Sequence, residues 1–425
     1  MAGAMGKAMM PQSSMRRRMA ADSRAVVCVL VLTRGVLGAQ ELMTASAPGG
    51  VVQLFASDAA ILESRETRKD LPCTVTPVKP TLGFDLKFHT GYDLVIPLKD
   101  LAGSENTLTT VFRVTAENRP DEPVYFSRRI AVPAIDEDEK GPAYLQGNFD
   151  VGEGKYHVDW LMRDRLERIC SSNWDLEAVL PPKDKQMALD IPGNAIRPAD
   201  TEPFKQEPPV EREQRDGPLN VKVMINFAPQ DAQSATLQPL DTNALLSILR
   251  SIARDPRICK FSIVAFNMQE QRVVYRQDAA SQIDFPAMGD ALKSLSLGTV
   301  DLKRLSQKHG DSEFLSRLIT TEVKDDKARP DAVIFAGPKV VLDDGLPPDT
   351  LKQLGDVKLP VFYMNYNLNP QANPWRDAIG NAVHSLKGLE FTISRPRDLF
   401  FAWSEIIGRI VKSKVRPGTG SAASQ

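Results

Sequence analysis

Leu219-Asn220-Val221-Lys222-Val223-Met224-Ile225-Asn226-Phe227 is the stretch that decides the fold of the second half of this chain. A strand with one wet face alternates apolar and polar side chains, whereas a strand covered on both faces does not. Residues 221–227 are almost continuously apolar and predict a strand buried between two layers of helix. The sequence beyond them repeats the theme. Asp241 is placed to cap a helix in which Leu245, Leu246, Ile248, Leu249 and Ile252 recur at helical spacing. A second apolar strand at 261–266 turns at Gln269-Glu270 into a short third run at 272–276. Helical segments near 286–297 and 311–322 follow. Strands at 331–335, 360–364 and 389–393 then alternate with helices at 348–354, 375–386 and 396–412. Such alternation predicts a mainly parallel, doubly wound α/β sheet.

Upstream, residues 181–218 hold eight prolines in 38 positions, the charged run 207–216 and little aromatic content, and they read as an extended linker that Phe204 could pin to a neighbour. Before it the dominant period is two. Leu82, Phe84, Leu86 and Phe88 alternate with polar residues and glycine, as do Tyr156, Val158, Trp160 and Met162, and each set predicts a half-buried antiparallel strand. Residues 107–115 and 124–132 are rich in β-branched and aromatic side chains and flank the turn Asn118-Arg119-Pro120-Asp121. Gly152-Glu153-Gly154 reads as a hairpin turn, and Trp174, Leu176 and Ala178 as a last strand. About seven short strands point to an all-β sandwich of immunoglobulin-like type over residues 40–180. His89 and His157 fall on the polar faces and read as solvated, and the acidic run 136–139 as a solvated loop.

The chain has 425 residues, 53 basic and 54 acidic side chains and 42% hydrophobic content, which excludes a wholly disordered chain and a polytopic membrane protein. With no basic excess, binding to nucleic acid by counterion release is not expected. Arg16-Arg17-Arg18, the apolar stretch 25–32 and the small residues ending at Ala39 read as a cleaved export signal over residues 1–39; the stretch is too short to span a bilayer. Cleavage would remove six basic residues and one acidic one, leaving 47 against 53 and a net charge of -6. It would also discard Cys28 and leave Cys73, Cys170 and Cys259. In an oxidising periplasmic or extracellular compartment Cys73 and Cys170 are the candidate disulfide, the alternative being two buried thiols, while Cys259 reads as a core residue. Neither the cysteines nor the four scattered histidines have zinc-site spacing. Residues 415–425 read as a frayed tail.

The order strand, helix, hairpinned second and third strands, two helices and three further strand-helix units resembles the von Willebrand factor A-type fold over about 219–414. The resemblance implies a divalent-metal site at the carboxyl ends of the strands, made by Asp-x-Ser-x-Ser after the first strand, a Thr before the third helix and an Asp after the fourth strand. Here those positions hold Asn226, Ala228 and Gln230 in the first set and Ala336-Gly337 in the last, and Thr299 alone matches. Oxygen cages for magnesium need carboxylates, so no metal and no cofactor are expected; Asp231 and Ser234 are the only shifted substitutes. The informative loops are then 227–240, 298–301, 337–347 and 365–374. Asn365, Tyr366 and Asn367, followed by Trp375, offer amides and aromatics to a peptide or glycan; the alternative is a turn-rich loop with Trp375 packed beneath a helix.

These readings favour an exported, non-enzymatic protein that binds a protein or cell-surface partner, without stable membrane insertion. The alternatives are an α/β hydrolase and a periplasmic small-ligand receptor. His309-Gly310-Asp311-Ser312-Glu313 contains hydrolytic residue types, but five neighbours cannot easily all face one substrate, and it reads as a helix end closed by Gly310 followed by a cap. A receptor would need two similar α/β lobes, which the period-two first half lacks.

Overall fold

The computed structural model describes residues 41–43, 54–213, 218–231, 234–296, 309–324, 330–342, 346–347, 349, 357 and 359–415. The expected export signal, the tail beyond 415, Thr299 and the helix expected at 348–354 lie outside the described residues, Asp349 excepted. The chain folds into several β-sheets: two antiparallel sheets packed as a sandwich and one mixed sheet with helices. The five-stranded sheet contains β1 (Glu41–Met43), β4 (Asn106–Ala116), β5 (Val124–Val132), β7 (Gly154–Arg163) and β8 (Ile169–Ala178), in the order β1-β5-β4-β7-β8. The four-stranded sheet runs β2 (Thr74–Leu82), β3 (Phe88–Pro97), β6 (Pro142–Val151) and β9 (Ile196–Pro198). Their facing side chains form one core. Phe112 stacks on Phe126 at 4.9 Å, and Tyr92 meets Trp160 edge-on at 5.1 Å. Helix α1 (Ala56–Ser64) covers the outer face of the five-stranded sheet through Ile61 and Leu62.

Cys73 and Cys170 are joined, with Cα atoms 6.3 Å apart, within the normal span of a disulfide. Cys259 is free and half-buried at the edge of the core, not fully inside it.

The mixed sheet has the order β12-β11-β10-β13-β14-β15, from β10 (Leu219–Asn226), β11 (Ile258–Asn267), β12 (Arg272–Ala280), β13 (Ala332–Pro338), β14 (Val361–Tyr366) and β15 (Leu389–Ile393). All neighbours are parallel except the β11-β12 hairpin. Helices α2 (Pro239–Ala253), α3 (Phe285–Leu292) and α6 (Pro396–Val415) cover one face, with Val221, Val223 and Ile225 pointing at them. Helices α4 (Gly310–Lys324) and α5 (Ala378–Ser385) cover the other, against Met224, Phe335 and Tyr363. The continuous apolar run of β10 is therefore buried twice over. Lys222, its one charge, is itself buried and donates to the carbonyl of Glu322 at 3.0 Å, while the Glu322 carboxylate takes Arg276 at 2.5 Å. A pinned ion cluster of this kind fixes how α4 sits on the sheet.

Several expectations need correction. The alternating set from Leu82 to Phe88 is not one strand: β2 ends at Leu82, Gly83 to Lys87 form a tight turn with Leu86 at φ 60°, and β3 begins at Phe88. Residues 181–213 are not a free spacer. Met187 and Ile191 are buried against the sandwich, β9 pairs with β6, and Phe204 lies against Gly289 of α3. Arg212 then donates to the carbonyls of Ala253 and Asp255. His89 and His157 are not merely solvated: each ring is held at both nitrogens by aspartates, His89 by Asp150 (2.7 Å) and Asp85 (2.9 Å), His157 by Asp175 (2.6 Å) and Asp159 (3.0 Å). Asp241 lies inside the first turn of α2, whose cap position is Gln238. Gly310 is the first residue of α4, and the His309 carbonyl accepts from the Ser312 hydroxyl and the Glu313 N–H; the helix end expected before it lies outside the described residues.

The sandwich and the mixed sheet are locked together by exchanged aromatics. Phe84, at the tip of the β2-β3 turn, belongs to the core of the mixed sheet and meets Tyr366 edge-on at 6.0 Å. Phe400 of α6 packs in return against the sandwich core. Ion pairs surround the joint: Arg397 with Asp184 (2.9 Å), Arg254 with Asp190 (3.0 Å) and with Glu207 (2.6 Å).

Candidate functional site

In open parallel sheets the carboxyl ends of the strands, where strand order reverses, are the usual ligand-facing edge, because helices start there and the loops are free to vary. In this sheet the reversal lies between β10 and β13. Asn226 ends β10, and Ala336 and Gly337 lie near the end of β13. These residues pack on each other. A Cβ added to Gly337, whose φ is 142°, would stand 2.8 Å from the Cβ of Asn226, so the two strand ends are in close contact. The Asn226 carbonyl oxygen of the side chain accepts from the Met268 N–H at 3.2 Å, Ala228 is buried, and the Gln230 amide oxygen accepts from the Leu368 N–H at 3.3 Å. Asn226 and Gln230 are thus engaged in holding neighbouring loops, and Ala228 is packed inside. Ser234 donates its hydroxyl to the Thr236 carbonyl, and Asp231 is exposed. Among the described residues no group of three or more His, Cys, Asp or Glu could hold a metal ion.

Asn365, Tyr366 and Asn367 do not form a surface loop. Asn365 and Tyr366 close β14, Asn367 directly follows it, and all three are buried, because the strand runs further than its polar residues suggested. The Asn365 amide donates to Glu390 at 3.0 Å while its oxygen finds no partner among the described residues. The Asn367 amide donates to the Asn373 carbonyl and its oxygen accepts from the Asn369 N–H, which folds the following loop back over the strand end. Tyr366 packs against Phe84, and its hydroxyl lies near Asp241 without closing a hydrogen bond of normal geometry. Burial, then the nearby carboxylate, pushes the Tyr366 hydroxyl up, and burial raises Asp241 as well. Both are kept protonated more readily than in water.

Trp375 is the part of this set that faces solvent: it is 77% exposed and does not pack beneath a helix. Lys339 fixes its position by donating to the carbonyls of Asn373 (2.6 Å) and Trp375. Asp377 sits behind it. This buried carboxylate caps α5 through the Gly380 N–H (2.8 Å) and accepts from the Val340 N–H (2.6 Å) and the Tyr363 hydroxyl (3.0 Å). Burial pushes Asp377 up despite these donors, and burial together with Asp377 drives Tyr363 well above its ordinary range. Val341, 81% exposed, follows the strap that Asp377 holds. Trp375 and Val341 thus present an exposed indole and an exposed isopropyl group on two segments tied together through Lys339 and Asp377. Sequence reasoning found Trp375 but missed Lys339, Val341, Asp377 and Glu390; the capping aspartate directly before α5 was the one legible signal.

No protein-family model matches the sequence, and no curated protein matches it. Among solved structures, the chain is similar to the PilB minor pilin of Streptococcus sanguinis at 9% identity, with a TM-score of 0.25 over 71% of this chain and 87% of the pilin. It is similar to a β-glucuronidase of Bacteroides uniformis at 9% identity, with a TM-score of 0.17 over 72% of this chain and 39% of that enzyme. Scores this low carry no functional argument. Among the described residues no helix is long and apolar enough to cross a membrane.

Proposed function

We propose that this is an exported, non-enzymatic protein whose mixed sheet is a von Willebrand factor A-type domain without its metal site, and whose sandwich is of immunoglobulin-like type. The order of the six strands, with the third antiparallel at one edge, supports the first assignment. The lack of any carboxylate at Asn226, Ala228, Gln230 and Gly337 supports binding without metal, since a magnesium cage needs charged oxygens. The Cys73–Cys170 bridge supports export, because such bonds persist in oxidising compartments. In this reading the sandwich holds the second domain rigidly, and the ledge of Trp375 and Val341 receives a protein or cell-surface partner.

The exposed, braced Trp375 is the observation that carries the proposal. It is tested by capture of partners from the native secretome with the mature protein and its Trp375→Ala variant. Loss of specific partners with the variant is expected, because buried aromatic anchors dominate interfaces. Equal recovery would discard the ledge. Titration calorimetry with magnesium or manganese tests the metal-free reading independently: micromolar binding that disappears in Asp231→Ala would overturn it.

A further inference from the structure

Where the β2-β3 turn meets the groove between α2 and α6 it leaves a cleft of about 190 Å³. Its walls come from both halves of the molecule: Phe84 and Leu86 from the turn, Ser247 and Ser251 from α2, and Phe400 and Trp403 from α6. An apolar cavity of about 150 Å³ holds one benzene-sized molecule, so the volume of this solvent-connected cleft suits a single ring. The charges around the cleft are already used. Arg250 pairs with Glu207 at 2.8 Å, Arg254 with Glu207 and Asp190, and Asp85 with His89. A charged ligand would have to displace one of these partners, whereas a neutral one would not.

The polar groups inside divide unequally. Ser251 donates its hydroxyl to the Ser247 carbonyl, Ser404 donates to the Phe400 carbonyl, and the Trp403 N–H donates to Asp255. The Ser247 hydroxyl makes no hydrogen bond among the described residues, although Ser247 is only 3% exposed. A cleft walled by three aromatic rings with one unengaged hydroxyl matches a small planar molecule carrying one polar group.

We propose that this cleft is a binding site for a neutral aromatic molecule of the phenol class, its ring against Phe84, Phe400 and Trp403 and its polar group on the Ser247 hydroxyl. The site is separate from the Trp375 ledge and does not depend on what binds there. Because the ligand would touch both halves, binding would also tighten the joint between them.

The experiment uses the full mature chain, titrated by calorimetry with phenol, toluene and benzoate. Phenol and toluene are expected to bind with one-to-one stoichiometry in the millimolar range, and benzoate more weakly than either. Ser247→Ala should weaken phenol about fivefold, the worth of one hydrogen bond, and leave toluene unchanged. Ser251→Leu places a larger side chain in the cleft from a half-buried helical position and should abolish both. Circular dichroism confirms that each variant is folded. Failure of phenol to bind the folded wild-type chain, or undiminished binding to folded Ser251→Leu, would overturn the proposal. A Ser247→Ala variant that weakens toluene as much as phenol would overturn the role of the hydroxyl.

Discussion

Phe84→Ala tests whether the aromatic exchange between the two halves holds them together. Phe84 is 8% exposed, lies in the core of the mixed sheet rather than in that of the sandwich, and meets Tyr366 edge-on. Truncating a buried Phe costs about 3–5 kcal/mol, a figure that includes the ring pair. The adjoining cleft lets water reach the vacated space, so the lower end, about 3 kcal/mol, applies here. Each kcal/mol lowers the melting temperature of a unit of about 150–250 residues, the size of the mixed-sheet half, by about 2–4 °C, which gives a drop of about 6–12 °C in the transition of that half. The loss falls on docking, because no sandwich core contact is removed. Calorimetry should show the single transition broadening or splitting, and hydrogen exchange should rise around Ser247 and Ser251 on the uncovered face of α2. A variant that melts like the wild type, with protection in α2 unchanged, would refute the reasoning.

Other expectations concern single residues. The two aspartates hold His89 protonated and raise its pKa from 6.5 to about 10 against the opposing effect of burial, so the charged clamp contributes fully below pH 6.5 and is lost as pH rises through about 10. Asp85 is lowered from 3.8, so its share is present above that value and fades only in stronger acid. The melting-temperature gap between wild type and His89→Gln should therefore be flat from about pH 4 to 6.5 and close toward pH 10; a gap that persists to higher pH would argue against the clamp. Gly337→Ala should destabilise by about 2–4 kcal/mol through strain at positive φ and collision with Asn226, whereas Gly408→Ala, with open space around it in α6, should stabilise by about 0.5–1 kcal/mol. Urea denaturation of the pair distinguishes them, and equal effects would contradict the packing described. Replacing Cys73 and Cys170 together by serine frees a loop with a sequence separation of 97, worth up to about 4–5 kcal/mol by chain entropy, and the urea midpoint should fall accordingly. A midpoint unchanged by the double replacement would show that other contacts already close this loop.

The sheet covered on both faces was legible because burial on two faces leaves an apolar run in Val221 to Phe227, and the hairpin and the described helices followed from spacing. Strand order was not legible from those patterns, since local periodicity carries no information about which strands pair. The set Leu82, Phe84, Leu86 and Phe88 misled because a tight turn preserved the alternation across two strands. Phe84 is apolar for the sake of the other half of the molecule, a purpose invisible locally. Residues 181–213 misled in the opposite way: prolines and charges outnumber Met187, Ile191 and Phe204, yet these few anchors suffice to dock the segment. Asn365 and Asn367 looked like loop residues because amides usually seek water, whereas here their bonds to Glu390 and to the loop backbone replace it. Trp375 was found as a residue, but its exposure depends on Lys339 and Asp377, which approach from other segments.

The interlocking of Phe84 and Phe400 bears on how such a chain can be inherited. Neither half could be shuffled into another gene alone without baring an aromatic ring that its counterpart now shelters, so recombination that separated them would yield sticky, short-lived products. The two halves are expected to descend as one unit, with changes at one ring answered by changes beside the other.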